Sequence, residues 1–186
     1  MLYTPAPAER EPRPDVKVRN RPPDIDRIIE IFETIPHARE LGLQVLELRY
    51  GHGYMRLPYD ARFVGNPSTG VLHGGVVTSF LDTLGGMVVM ATVPEGTALA
   101  TLDLRIDYLR PAQPEVEILG SAECYKVTES VAFVRGIAYQ ETFRDPIANC
   151  TATFMLGARG FTGHGNTVSK IVEKIDGTAS DGGQPC

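Results

Sequence analysis

Tryptophan is absent from the 186 residues, and cysteine occurs only three times. Cys124, Cys150 and Cys186 are an odd number without metal-ligand spacing, which argues against a disulfide framework and a thiolate metal site. So few thiols suit a reducing compartment, and the cytoplasm is the expected location. Positive charge is also in short supply: 18 Lys and Arg stand against 23 Asp and Glu, a net charge of -5. Phosphate recognition needs a basic surface, so no nucleic-acid partner is expected. Long apolar runs are missing as well. Residues 76–93 come nearest to a membrane span, but the stretch is slightly short of the roughly 20 residues a bilayer needs. It also carries Asp82 at its centre and a Gly-Gly pair, so no membrane span is expected. The first residues, "MLYTPAPAEREPRPDVKVRNRPPD", mix prolines with charges and lack the apolar core of a signal peptide, and export is not expected.

What is present is enough apolar residue, 42% of the chain, to build one domain with a sizeable core. Residues 1–24 are Pro-rich and polar, and residues 159–186 are Gly-rich with a candidate short helix over 168–175. Both read as tails flanking a domain over 25–158. Within it, "DIDRIIEIFETI" has helical spacing, with Ile25, Ile28, Ile29 and Phe32 on one face and Asp24 as cap. A short helical turn, a strand over 43–49, a Gly-His-Gly turn at 51–53 and a strand over 54–57 follow. The segment 75–92 lacks alternation and proline and is long enough to be a helix. Strand-like runs then cover 98–109, 116–127, 131–142 and 148–156, joined by "RPAQPE", "TES" and "FRDPI". Links this short predict antiparallel strands. A helix apolar around nearly its whole girth cannot lie on a surface, and a long antiparallel sheet has a face to cover. The expected fold is therefore α+β, a curled sheet wrapped around a central helix.

Asp82 is the one formal charge between Gly65 and Met90. Gly75, Ser79, Asp82 and Gly86 form a narrow stripe of small or polar residues, opposite Val77, Phe80, Leu81, Leu84 and Val88. An unpaired carboxylate in such surroundings is costly enough to need a reason. Pairing with an arginine from the sheet is the bland account, and a reactive role is the sharper one. At the helix start, the amides of Gly74 and Gly75 have no partner within the helix and lie in a partly positive field, which suits an anion or oxyanion. His73-Gly74-Gly75 as a mere tight turn is the alternative. From Gly75 to Asp82 the helical rise gives about 10 Å, so one substrate carbonyl cannot touch both. Two chains with antiparallel helices across a two-fold axis would bring the glycines of one near the aspartate of the other, and at least a dimer is expected.

Residues 35–157 resemble the hotdog-fold acyl-CoA thioesterases of the phenylacetate-degradation type, within the 4-hydroxybenzoyl-CoA thioesterase superfamily. The resemblance rests on "IPHARELGLQVLEL", on "NPSTGVLHGG" running into a helix with Asp82 nine residues past the histidine, and on "TLDLRIDYLRPA". It implies an acyl-CoA substrate, Asp82 as general base or nucleophile, and His73 with the Gly74 amide polarising the thioester carbonyl. It further implies that Asn66 orients substrate or water, that Thr101 touches the water, and that the assembly is a homodimer or homotetramer, a dimer of dimers. Thioester hydrolysis of this kind needs neither metal nor cofactor, because a carboxylate activates water and amide dipoles steady the oxyanion.

The chain departs from the family at the loop "KVTES", where relatives often carry Gly-Lys or Gly-Arg against the nucleotide end of coenzyme A. Arg105, Arg110, Lys126 and Arg135 are candidates for its phosphates, with ordinary surface solvation as the alternative. His73 can equally be a structural hydrogen-bonder and Asn66 a residue capping its own loop. Strict alternation puts Thr101 on the face of Asp103, Arg105 and Asp107, so its role requires a bulge or a subunit contact. Cys124 and Cys150 read as core residues. Two other functions stay open: a hotdog hydratase or dehydratase, which needs the His73 imidazole as acid or base, and a non-catalytic acyl-CoA-binding protein.

Overall fold

The computed structural model describes residues 24–157. The Pro-rich and Gly-rich tails, the candidate helix over 168–175 and Cys186 lie outside the described residues. Helix α1 (Ile25–Glu33) begins where the Asp24 side chain accepts a hydrogen bond from the Arg27 amide, the cap expected of it. It buries Ile28, Ile31 and Phe32. Pro36 opens the short helix α2 (Pro36–Glu40).

Strands β1 (Gln44–Arg49) and β2 (His52–Leu57) form a hairpin whose two-residue turn is Tyr50-Gly51, with Gly51 at φ +74°. The turn expected at 51–53 therefore sits one residue earlier, and His52 and Gly53 already pair in β2. Gly53 has a different task. A Cβ there would lie 2.7 Å from Val88 Cγ2, so its bareness lets the sheet approach the central helix.

A 3-10 turn (Ala61–Phe63) leads to a small ribbon, β3 (Val64–Asn66) with β4 (Val71–Leu72). It delivers the chain to α3 (Gly74–Met90), the central helix. Phe80, Leu81, Leu84 and Val88 are essentially inaccessible, each contributing about 1.5–3 kcal/mol by burial. Gly120 makes room for them from the sheet side, since a Cβ there would lie 2.6 Å from the Phe80 ring.

Strands β5 (Leu99–Tyr108), β6 (Ile118–Val127), β7 (Val131–Tyr139) and β8 (Ala148–Leu156) complete an antiparallel sheet in the order β1-β2-β6-β7-β8-β5. α3 packs against β2, β5, β6, β7 and β8, which is the expected α+β arrangement of sheet around helix. The strands run antiparallel as expected, but one link does not join neighbours. β5 and β6 are not neighbours, because "RPAQPE" carries the chain from the sheet edge across to a place beside β2. Gln140, only 5% exposed, fastens this crossing. Its Oε1 accepts from the Gln113 amide at 2.8 Å, and its Nε2 donates to the carbonyls of Gln113 and Val116 at 3.0 and 3.1 Å. Those bonds bracket Glu115, which has a left-handed φ of 62°. Gln140→Ala strands these backbone groups, and chemical denaturation should show a loss of about 2–4 kcal/mol of unfolding free energy.

Candidate active site

Asp82 lies halfway along α3 and is half-buried, not fully enclosed. Its Oδ1 accepts a hydrogen bond of 3.0 Å from the Thr101 hydroxyl. Among the described residues no arginine or lysine pairs with it, which leaves its other oxygen available. Thr101 reaches it because β5 bulges. The register against β8 slips between Thr101 and Asp103, so Thr101 pairs with Phe154 and Asp103 with Thr153. Leu102 is the extra residue, and the slip frees Thr101 from the face of Asp103 that strict alternation assigns to it.

Beside the carboxylate opens a cavity of about 250 Å³, which Asp82, Gly86, Met87 and Met90 line from α3, Thr101 from β5, and Ile28 and Phe32 from α1. His37 of α2 also lines it, a position to which the sequence reading gave no role. His73, Gly74 and Asn66 do not line it.

Those three residues gather at the other end of the helix. His73 is the N-cap of α3, and its Nδ1 accepts the Gly75 amide at 2.9 Å. An imidazole that accepts at Nδ1 carries its proton on Nε2 and offers a donor there. The Gly75 amide is therefore not free for an oxyanion, contrary to the reading that counted both glycine amides. The Gly74 amide has no protein acceptor among the described residues. A Cβ at Gly75 would lie 2.9 Å from His73 Nδ1, and one at Gly74 would crowd the Tyr108 hydroxyl at 3.2 Å, a contact that a small shift of the ring relieves. Tyr108 donates to the Gly74 carbonyl at 2.6 Å and meets the Thr78 hydroxyl at 2.9 Å, pinning the helix start. The sequence reading missed it. Its signal was the apolar alternation Leu104, Ile106, Tyr108 beyond the bulge.

Asn66 is exposed, and its Oδ1 accepts from the Ser68 amide and hydroxyl at 3.1 and 2.7 Å, the self-capping arrangement named as its alternative. Between Gly74 and Asp82 the helical rise leaves about 12 Å, so the candidate residues fall into two groups that one chain does not bring together.

Three of the basic candidates are engaged in pairs, Arg105 with Asp107 at 3.0 Å, Arg110 with Asp145 at 2.9 Å and Arg135 with Glu123 at 2.7 Å. Burial pushes the thiols of Cys124 and Cys150 up to about 11, which keeps them protonated near neutral pH, as suits core residues. No cluster of three or more His, Cys, Asp or Glu that could hold a metal occurs among the described residues. No helix among them is long and apolar enough to cross a membrane.

The thioesterase superfamily profile matches residues 69–146, from the turn before α3 to the link before β8. The medium/long-chain acyl-CoA thioesterase YigI of Salmonella typhimurium is 33% identical over 138 residues, covering 66% of this chain and 86% of the relative. A shorter match, 33% identical over 94 residues, spans 49% of this chain and 61% of a protein of Halobacterium salinarum. Among solved structures, a Pseudomonas aeruginosa protein is similar at a TM-score of 0.64 and 40% identity over 70% of this chain and 97% of its own. A phenylacetic acid degradation-related protein of Ralstonia eutropha JMP134 follows at 0.62 and 28% identity over 70% and 98%. With sequence and fold shared across nearly the whole described domain, the chain belongs to the thioesterase superfamily of thioester hydrolases and has its hotdog fold.

Proposed function

We propose that this chain hydrolyses acyl-coenzyme A thioesters to the free acid and coenzyme A at a site shared between two copies. The observation that carries the reading is Asp82, a carboxylate without a cationic partner among the described residues, held by the Thr101 hydroxyl at the edge of an apolar cavity. Its free oxygen takes a proton from water as the water oxygen bonds to the thioester carbon. Negative charge then grows on the carbonyl oxygen. The Gly74 amide and the Nε2–H of His73, both from a second copy with α3 antiparallel to the first, are suited to receive it. Collapse of the tetrahedral intermediate breaks the C–S bond, and the electron pair leaves with the coenzyme A thiolate. In the alternative role as nucleophile, the same oxygen attacks the carbon directly, the C–S bond breaks with its electron pair leaving on the coenzyme A thiolate, and water cleaves the resulting anhydride to the free acid and the Asp82 carboxylate.

The outer edge of β5 supports pairing of copies. Among the described residues no strand pairs with it, and Leu102 and Tyr108 stand 55% and 51% exposed along it. That the relative YigI is named an acyl-CoA thioesterase favours the same substrate class here. A hydratase reading needs the His73 imidazole as acid or base; with its Nδ1 lone pair engaged as a helix cap, the ring keeps an Nε2–H donor but no free basic nitrogen. The test is thiol release across short, long and aromatic acyl-CoAs, with products identified by mass spectrometry. Stoichiometric acid and thiol are expected, whereas conversion of 3-hydroxyacyl-CoA to its enoyl product with no thiol released would overturn the assignment.

A further inference from the structure

The geometry points to Gly86 and Met90 as the residues that set the length of acyl chain the cavity accepts, an inference that rests on the acyl-thioester reading above. Asp82, Gly86 and Met90 recur at every fourth position of α3 and all line the cavity, so they share one side of the helix. At 1.5 Å per residue, Met90 lies about 12 Å beyond Asp82. β5 gives the same direction: Thr101 holds Asp82, and Leu99, nearer the chain reversal after α3, also lines the cavity. The space is thus a half-open slot that runs from the carboxylate towards Met90, with Ile28, Ile31 and Phe32 of α1 along its side.

The two adjacent glycines of α3 differ. A Cβ at Gly85 would sit 3.1 and 3.3 Å from the Phe154 ring, so packing excludes a side chain there. At Gly86 a Cβ meets nothing closer than Phe154 Cε1 at 3.7 Å, an ordinary contact. Glycine inside a helix is destabilising relative to alanine, and at Gly86 the packing gives no reason for it. The reason is the slot: Gly86 faces it midway between Asp82 and Met90, and a side chain there would block it.

Capacity follows from volume. At ~30 Å³ per group, a water's share of the liquid, the cavity of about 250 Å³ holds about eight methylene-sized groups. Apart from Asp82, Thr83, Thr101 and His37, every lining residue is apolar, so the space suits an apolar acyl tail. Each added methylene should tighten binding about fourfold until the slot is full.

The test measures calorimetric binding of free saturated fatty acids from butyrate to tetradecanoate, together with kcat/KM for the matching acyl-CoAs, on folded wild type, Gly86→Leu and Met90→Trp. In wild type the affinity should rise to about eight carbons and then level. Gly86→Leu puts four carbons into the slot and should bring the level down to about four. Met90→Trp, which acts at the far end, should lower it by less. Fatty-acid binding needs no turnover, so a shifted binding series with no thiol released would support the length gauge and sink the hydrolase reading. The same plateau in all three proteins would overturn the gauge, whatever the thiol assay shows.

Discussion

Asp82→Asn is expected to reduce kcat for thiol release by a factor of about 100 to 10,000 while leaving the fold in place. The exchange is nearly isosteric. Asn can keep an oxygen where Asp82 Oδ1 accepts the Thr101 hydroxyl, so the link between α3 and β5 survives. What is lost is the anionic second oxygen, which either role demands, as base towards water or as nucleophile towards the thioester carbon. KM should change little, because the acyl tail meets the apolar lining beyond the carboxylate. The effect belongs on kcat and kcat/KM together, the mark of an interaction made only in the transition state. Steady-state thiol release, with thermal unfolding as the control for folding, reads both. A kcat within a few-fold of wild type in a folded variant would remove Asp82 from the chemistry and with it the reaction proposed here.

Asp82 was legible because a lone charge inside an apolar, proline-free segment is a local signal. α1 was legible for a related reason, since Ile28 and Phe32 recur at helical spacing behind an Asp cap and both prove buried. The features that escaped depend on information that periodicity does not hold. Alternation assigns Thr101 to an outer face, and only the slip around Leu102 turns it towards Asp82. Short links predict antiparallel strands but not which strands are neighbours: the sheet seats β8 beside β5 and sends the link to β6 across under the Gln140 clasp. The free amides of a helix start were counted from position alone. Which of them remains free depended on the His73 ring folding back onto Gly75. The cavity was the least legible of all, because its wall is drawn from α1, α2, α3, β5 and β8, segments that meet only after folding.

The Gly74 amide can be removed almost alone. Gly74 is the first residue of α3, behind a His73 cap in extended conformation with ψ 134°. Proline is favoured at the first helical position and asks for an extended residue before it. Gly74→Pro therefore keeps the helix and deletes one N–H. A Cβ at this position crowds the Tyr108 hydroxyl at 3.2 Å, so Gly74→Ala, which crowds it equally but keeps the N–H, is the matched control. Relative to that control, Gly74→Pro should lose about 100- to 1,000-fold in kcat if the amide holds the oxyanion. Mixing then asks which chain the amide serves. Asp82→Asn chains and Gly74→Pro chains are each nearly inactive alone. When they are co-expressed and pair at random, about half the dimers are mixed, and in each of those one site combines the intact carboxylate of one chain with the intact amide of the other. Specific activity should return to about one quarter of wild type. If carboxylate and amide worked within the same chain, every site in the mixture would carry a lesion and no activity would return.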